Sequence, residues 1–410
     1  MEVRNGYKRT EVGLIPEDWE VLPIDDLYDF QGGSQPPRHT FIFEEKTGYV
    51  RLLQIRDYKT DKYASYIPIP LAKRSCIPTD IMIGRYGPPI FQILNGMEGS
   101  YNVALMKAVP SSKIIQKYGW YLLKQDKLFE FVEKLSQRSS GQTGVDLNEL
   151  RKYLIPLPPT KSEQTAIATA LSDADALIAS LEKLIEKKRA IKQGAMQELL
   201  KPKEGWVVKK LGEVIVEFRG GAPFAPSDFK ESGFKVLPKG GVGRGGILSI
   251  DNNKQQYCSN EYAANHQTNI VDKKYSIVVL RDLVPSGPSI GLTVKFDTTD
   301  RYVLAQGVYG YKVNEDQISS DYLIQLSNTK EYRKIMNNIM VGSTQVHISN
   351  SAYLKVSFSF PPTKTEQTRI ATILSDMDAE ITALEQKLGK YKQIKQGMMQ
   401  ELLTGRIRLI

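Results

Sequence analysis

Two cysteines and three histidines in 410 residues leave little material for redox or metal chemistry. Cys76 and Cys258 lie in different halves of the chain, so neither reads as half of a disulfide. Both are expected as reduced side chains of a cytoplasmic protein. His39, His266 and His347 make no recognisable zinc set with them. No apolar run approaches the ~18 residues a membrane span needs, and Met1 to Trp19 is polar, without the apolar core of a secretion signal. A phosphate-binding loop, GxxxxGK followed by Ser or Thr, is missing. Gly241-Val242-Gly243-Arg244-Gly245-Gly246 does satisfy GxGxxG. A dinucleotide site needs a helix next, whereas Ile247 to Asn253 reads as an extended run into a turn. No Ser-His-Asp pattern is legible. None of the Pro-Pro pairs follows an Asn or Asp, as an adenine-methylating site would require. The chain reads as non-catalytic, with no metal and no cofactor of its own.

Charge narrows the partners. The formal net charge is +9. Residues 1–30 carry three Lys or Arg against eight Asp or Glu, whereas residues 31–150 carry sixteen against eleven. Beyond the acidic start the excess is positive, moderate and spread out. That suits contact with a polyanion.

What the chain does have is a second copy of itself. Pro158–Leu200 aligns with Pro361–Leu403 at a constant offset of 203 (361 − 158 = 203), and 28 of the 43 positions are identical. A repeat unit of half the chain means a duplicated protein rather than a solenoid. Looser anchors lie upstream of each copy. Trp19 and Trp206 precede apolar-periodic runs, and Phe30-Gln31-Gly32-Gly33 matches Phe218-Arg219-Gly220-Gly221. Thr47–Leu52 resembles Ser232–Leu237, and Gly141-Gln142-Thr143-Gly144-Val145 resembles Gly342-Ser343-Thr344-Gln345-Val346. Between these anchors the halves diverge. One frame therefore presents two different recognition surfaces.

The constant blocks read as long helices. Ile167, Leu171, Ala174, Ile178, Leu181 and Ile185 step by 4, 3, 4, 3 and 4, and Ile370, Leu374, Met377, Ile381, Leu384 and Leu388 repeat the pattern. Such alternation is the seam of a coiled coil, and the obvious partner of each helix is the other. Thr160 or Ser162, and Thr363 or Thr365, can cap the starts, with Glu163 and Glu366 in the first turns. Roughly 40 residues make a rod of about 60 Å. The pattern falters past Lys188 and Tyr391, so the helix ends are expected to pack elsewhere.

The divergent regions read as mixed α/β, with strands near Tyr49–Ile55, Ile81–Gly84, Val103–Met106, Tyr275–Leu280 and Leu292–Phe296. One helix is expected near the end of each, over Ile114–Leu135 and Asp321–Met340. The architecture is α+β, with pseudo-two-fold internal symmetry. Residues 1–157 form a first recognition domain, 158–202 a central helix, 203–360 a second recognition domain and 361–410 a distal helix.

With these features in place, the chain resembles the DNA specificity subunit of type I restriction-modification systems. The two blocks with their PPxxxEQ openings carry the resemblance. Ile83-Gly84-Arg85-Tyr86-Gly87 and Tyr101–Met106 add to it, while the second region departs with Val278-Val279-Leu280-Arg281-Asp282. The resemblance implies two target-recognition domains, each reading half of a split asymmetric site on double-stranded DNA. It implies paired antiparallel helices that act as spacer and dock two modification (methyltransferase) subunits. S-adenosylmethionine, ATP and magnesium would belong to those subunits and to the restriction subunits. Two readings stay open beside it: a coiled-coil scaffold without a DNA role, and a specificity subunit serving a fused restriction-methylation enzyme.

Base edges are read by Arg, Lys, Asn and Gln, and phosphates by cations, hydroxyls and backbone amides. In the first domain the candidates are Arg51, Arg56, Tyr58, Lys59, Arg85, Tyr86 and Asn102, between Gly and Pro breaks. In the second they are Lys239, Arg244, Arg281, Gln345 and His347. Each competes with a plain solvated surface side chain. Gln142-Thr143 and Ser343-Thr344 are further candidates for backbone contact.

Overall fold

The structure is a computed structural model, and it describes residues 5–138, 144–242, 246, 248, 250, 254–283, 286–296 and 298–409. It is mixed α/β and divides into two compact units, Met1–Leu181 with Lys387–Ile410, and Glu182–Gln386.

In the first unit a four-stranded antiparallel sheet runs in the order Tyr28–Gly32, Leu105–Pro110, Ile81–Gly84, Gln92–Asn95. Every residue of Ile81–Gly84 is buried, which matches its continuous apolar sequence. A second sheet holds the parallel pair Tyr49–Leu53 and Gly99–Tyr101. The second unit repeats this plan. Ile215–Arg219, Val308–Val313, Ser276–Val279 and Thr293–Lys295 form the antiparallel sheet. Phe234–Leu237 and Tyr302–Leu304 form the parallel pair.

The repeated Phe-x-Gly-Gly has a steric cause. A Cβ on Gly33 would lie 2.0 Å from the Asn102 carbonyl oxygen, and one on Gly221 would lie 1.9 Å from that of Ala305. Only glycine permits this approach. Two anchors need correction. The Asn102 amide donates to the Leu53 carbonyl and the Ala305 amide to that of Leu237, so Leu53 rather than Leu52 corresponds to Leu237. The Val145 amide donates to Arg85 and the Ile348 amide to Leu280. Val145 therefore matches Ile348, not Val346. Short Gly-rich stretches look alike in more than one alignment; ladder hydrogen bonds allow one.

Each expected terminal helix is two. Gln116–Leu122 precedes Asp126–Arg138, and Ser320–Ser327 precedes Lys330–Ile339. The second break has a visible cause: Thr329 caps a new helix by accepting from the Tyr332 amide at 3.2 Å.

The constant blocks form helices Lys161–Leu199 and Lys364–Leu402. Thr160 and Thr363 are the caps, accepting from the amides of Glu163 (3.2 Å) and Glu366 (3.4 Å). Lys188 pairs with Glu380 at 2.6 Å and Lys192 with Asp378, so the helices run antiparallel. In the first unit Lys395 pairs with Asp175 at 2.6 Å. This is the duplicate of the Lys192–Asp378 pair (192 + 203 = 395; 175 + 203 = 378).

The ends of the seam do more than join two helices. Ile167 and Leu171 are fully buried in a cluster with Trp19, Tyr118 and Leu150, together with Leu402 and Leu403. Ile370 and Leu374 are buried with Tyr322 and Tyr353, together with Met196 and Leu200. Both the start of one helix and the end of the other thus complete each recognition-domain core. Of the remaining seam positions Leu181, Ile185 and Ile381 are buried, and Ala174, Ile178, Met377, Leu384 and Leu388 are half-buried.

Candidate nucleic-acid interface

The buried central strand of each antiparallel sheet delivers a short segment to the protein surface. In the first unit Ile81–Gly84 leads into Arg85-Tyr86. The Arg85 amide donates to the Ala104 carbonyl at 2.9 Å, and Tyr86 bridges Gly144. In the second unit Ser276–Val279 leads into Leu280-Arg281-Asp282. The Leu280 amide donates to the Gly307 carbonyl at 3.0 Å, and Arg281 faces His347 across a two-stranded ladder. These bonds align the two segments. Arg85 corresponds to Leu280, Tyr86 to Arg281 and Gly144 to His347. The two arginines look equivalent in sequence, yet Arg281 occupies the place of Tyr86. Successive side chains of an extended segment point to opposite faces, so a one-residue shift is a change of face.

Around Arg85 the first domain assembles a mixed patch. The Arg85 guanidinium lies 5.5 Å from the centre of the Tyr86 ring, and its buried Nε has no hydrogen-bond partner among the described residues. Asn102 uses its side-chain oxygen locally, accepting from the Ala104 amide at 3.0 Å. Leu53, bonded to Asn102, ends the strand that carries Arg51 and leads into the turn that carries Arg56, Tyr58 and Lys59. Arg51 pairs with Asp61 at 2.5 Å. Arg56 is exposed and lies 5.7 Å from the centre of the Tyr63 ring. Lys59 is exposed. Tyr58 packs against the small cluster containing Leu53, Met82 and Tyr101, and burial pushes its phenol pKa up. The Tyr58 ring is thus chiefly a packing group.

The second domain builds a more cationic patch. Gly307 leaves room for two cations to approach: a Cβ there would lie 2.9 Å from both Arg281 Cβ and Lys239 Cε. Burial, and then the neighbouring Arg281 guanidinium, hold the Lys239 pKa below the ordinary lysine value, with Asp282 offsetting part of the effect. Neighbouring cations of this kind suit contact with a phosphate. His347 is exposed opposite Arg281, and its amide and carbonyl both bond Val341 at 2.9 Å. Gln345, Ser343 and Thr344 are exposed in the same turn. Exposed Leu283 and Val341 flank the patch, and apolar groups at such positions can contact thymine methyls. Arg244, Gln142 and Thr143 lie outside the described residues.

Two residues absent from the candidate set stand out in the structure. Gln164 and Gln367, both within the repeated PPxxxEQ openings, are almost fully buried and bonded to the recognition domains. The signal was their retention in both copies next to domains that had diverged. No group of three or more His, Cys, Asp or Glu among the described residues is placed to hold a metal ion. No helix there is long and apolar enough to cross a membrane.

The fold and these patches define a class: a duplicated protein with one scaffold, repeated, and two unlike surface patches. Residues 16–192 and 203–396 each match the family described as Type I restriction modification DNA specificity domain. The chain belongs to that family. It is 28% identical over 412 residues to the Type I restriction enzyme MjaVIII specificity subunit of Methanocaldococcus jannaschii, covering 96% of this chain and 94% of that protein. It is 26% identical over 439 residues to the putative MjaX specificity subunit of the same organism, with 98% and 97% covered. Among solved structures, the S subunit of a type I restriction-modification system from M. genitalium superposes with a TM-score of 0.57 at 16% identity, over 98% of both chains. A chain from a structure described as bearing on complex assembly and conformational transition of the type I R-M system gives 0.60 at 15% identity, over 96% of this chain and 99% of that one. At such identities the structures speak for the fold alone.

Proposed function

We propose that this chain is the DNA-recognition subunit of a type I restriction-modification complex and that its two domains read the two halves of a bipartite, asymmetric site. It contributes recognition and assembly, not catalysis. One observation carries the reading: two domains share a hydrogen-bond register but present different side chains at matching positions. Tyr86 stands where the other domain has Arg281, and Gly144 where it has His347. Equal frames with unequal surfaces suit two unlike half-sites.

Within this reading the paired helices set the unread gap between the half-sites. A duplex presents the same groove face about every 34 Å, and a helix of 39 residues spans roughly 60 Å. The helix pair also docks two modification subunits. S-adenosylmethionine, ATP and magnesium belong to those and to the restriction subunits, and the complex works in the cytoplasm. Co-expression with the modification subunit, followed by mapping of N6-methyladenine across the host genome, tests this. A two-part motif with a fixed unread gap is expected. A one-part or palindromic motif would overturn the two-domain reading, and failure of the proteins to co-purify would overturn the assembly role.

A further inference from the structure

Gln164 and Gln367 occupy the same place in the two copies (367 − 164 = 203) and are 1% and 0% exposed. Each sits in the first turn of a long helix and reaches out of it. Gln164 Oε1 accepts from the Ile115 amide at 2.9 Å, and its Nε2 donates to the carbonyls of Lys113 (3.0 Å) and Pro158 (3.4 Å). Gln367 Oε1 accepts from the Ser319 amide at 2.7 Å, and its Nε2 donates to the carbonyls of Gln317 (3.1 Å) and Pro361 (2.8 Å). The two sets of bonds correspond atom for atom.

Ile115 and Ser319 are the N-cap residues of the helices Gln116–Leu122 and Ser320–Ser327, and neither caps its helix through its own side chain. The glutamine of a constant helix therefore bonds the start of a helix in a variable domain. Three of its polar valences are satisfied where no water reaches, which makes the joint costly to break. Every partner is a backbone atom. Lys113-Ile114-Ile115 and Gln317-Ile318-Ser319 share only the central isoleucine, yet the bonds are the same. The joint grips a backbone shape and ignores the sequence around it.

We propose that Gln164 and Gln367 are positioning residues that fix the angle at which each recognition domain leaves its long helix, and so hold the gap between half-sites at one length. The proposal rests on the two-half-site reading above. Neither residue touches DNA; each acts through the domain it holds. Loss of one clamp leaves base reading intact and loosens the spacing.

The test uses the complex with the modification subunit, carrying wild type, Gln164→Met or the control Leu150→Ala. Leu150 is fully buried in the same domain core and makes no part of the joint. Methylated sites are mapped and sorted by gap length. For Gln164→Met both half-site sequences are expected to persist, while sites with a gap one base pair longer or shorter rise about fivefold or more, as expected for loss of buried hydrogen bonds. Leu150→Ala is expected to lower Tm and keep one gap length. A single unchanged gap in Gln164→Met, or equal broadening in Leu150→Ala, overturns the proposal. Gln367→Met repeats the test in the other domain should the first variant not fold. Amide exchange on the wild-type complex needs no variant: the Ile115 and Ser319 amides are expected to be protected, and exchange at free-loop rates overturns the joint itself. A wild-type motif without a fixed gap, with both amides protected, refutes the two-half-site reading and leaves the joint standing.

Discussion

Replacing Arg281 by Ala should damage recognition of one half-site and spare the other. Arg281 lies on a two-residue strand pinned to Val346-His347, so its backbone is fixed before DNA arrives. Its neighbour Lys239 is held close enough for the guanidinium to depress the ammonium pKa. Two roles are available to such a pair. A bidentate contact to a base is worth about 1–3 kcal/mol of discrimination, or roughly 5- to 150-fold in affinity. A phosphate contact lowers the slope of log K against log salt by about 0.9 and affects all sequences alike. Arg281 follows the central buried strand and matches the ring position of the other domain, which favours base reading. Lys239 is then expected to be the phosphate partner. Arg281→Ala should therefore cost about 1–3 kcal/mol on the intact site and nearly nothing once the second half-site is scrambled. Lys239→Ala should reduce the salt slope by about 0.9 on both duplexes. Equilibrium binding of the assembled complex across a salt series reads both quantities. Equal loss for Arg281→Ala on duplexes scrambled in either half would refute the reasoning, as would a loss under about twofold on the intact site.

Other perturbations separate the parts of the structure. Arg85→Ala should relax only the first half-site, visible as a methylation motif degenerate on one side; an unchanged motif counts against it. Leu171→Asp with Leu374→Asp puts a charge into each domain core, where both side chains are fully buried, and should cost several kcal/mol each. The expected result is loss of the complex on size exclusion; normal stoichiometry would contradict it. Arg408 bonds Asp18 at 2.8 Å and Glu163 at 2.8 Å, and the Glu163 side chain is only 4% exposed. Arg408→Ala leaves that carboxylate unpaired and should cost about 3 kcal/mol, read as a lower denaturation midpoint. Adding Glu163→Gln should restore part of the loss. Glu217 is held down to about 2 by bonds from Lys312, Tyr275 and Arg219. A depressed carboxylate contributes stability above its unfolded pKa and loses it as pH falls through the folded value. Glu217→Gln should thus destabilise at neutral pH, with the gap to wild type closing between about pH 4.5 and pH 2. A gap that stays constant over that window would exclude the carboxylate as its source.

Much of this architecture can be read from the chain, for reasons visible in single residues. A period of 3.5 in Ile167, Leu171, Leu181 and Ile185 marks a helix with one apolar face. It does not say what covers that face, so Ile167 and Leu171 could not be assigned to a domain core completed by Leu402 and Leu403. Phe-x-Gly-Gly survived duplication because a carbonyl oxygen fills the space a side chain would need. The equivalence of Tyr86 and Arg281 was hidden because it rests on bonds to Gly144 and His347, some 60 residues further along the chain in each case. The glutamine joint escaped notice because its partners are backbone atoms, and backbone atoms leave no mark in a sequence.

The burial of Leu402 and Leu403 among Ile15, Trp19 and Leu171 also bears on synthesis. A ribosome makes an N-terminal domain first, and such domains ordinarily fold while the rest is being made. Here the core of the first domain lacks two of its side chains until 232 more residues have followed Leu171 (403 − 171 = 232). At ~5–20 residues per second that delay is roughly 12–46 s. The first domain to be made is therefore the last to close, and a prematurely terminated chain leaves its core open to solvent.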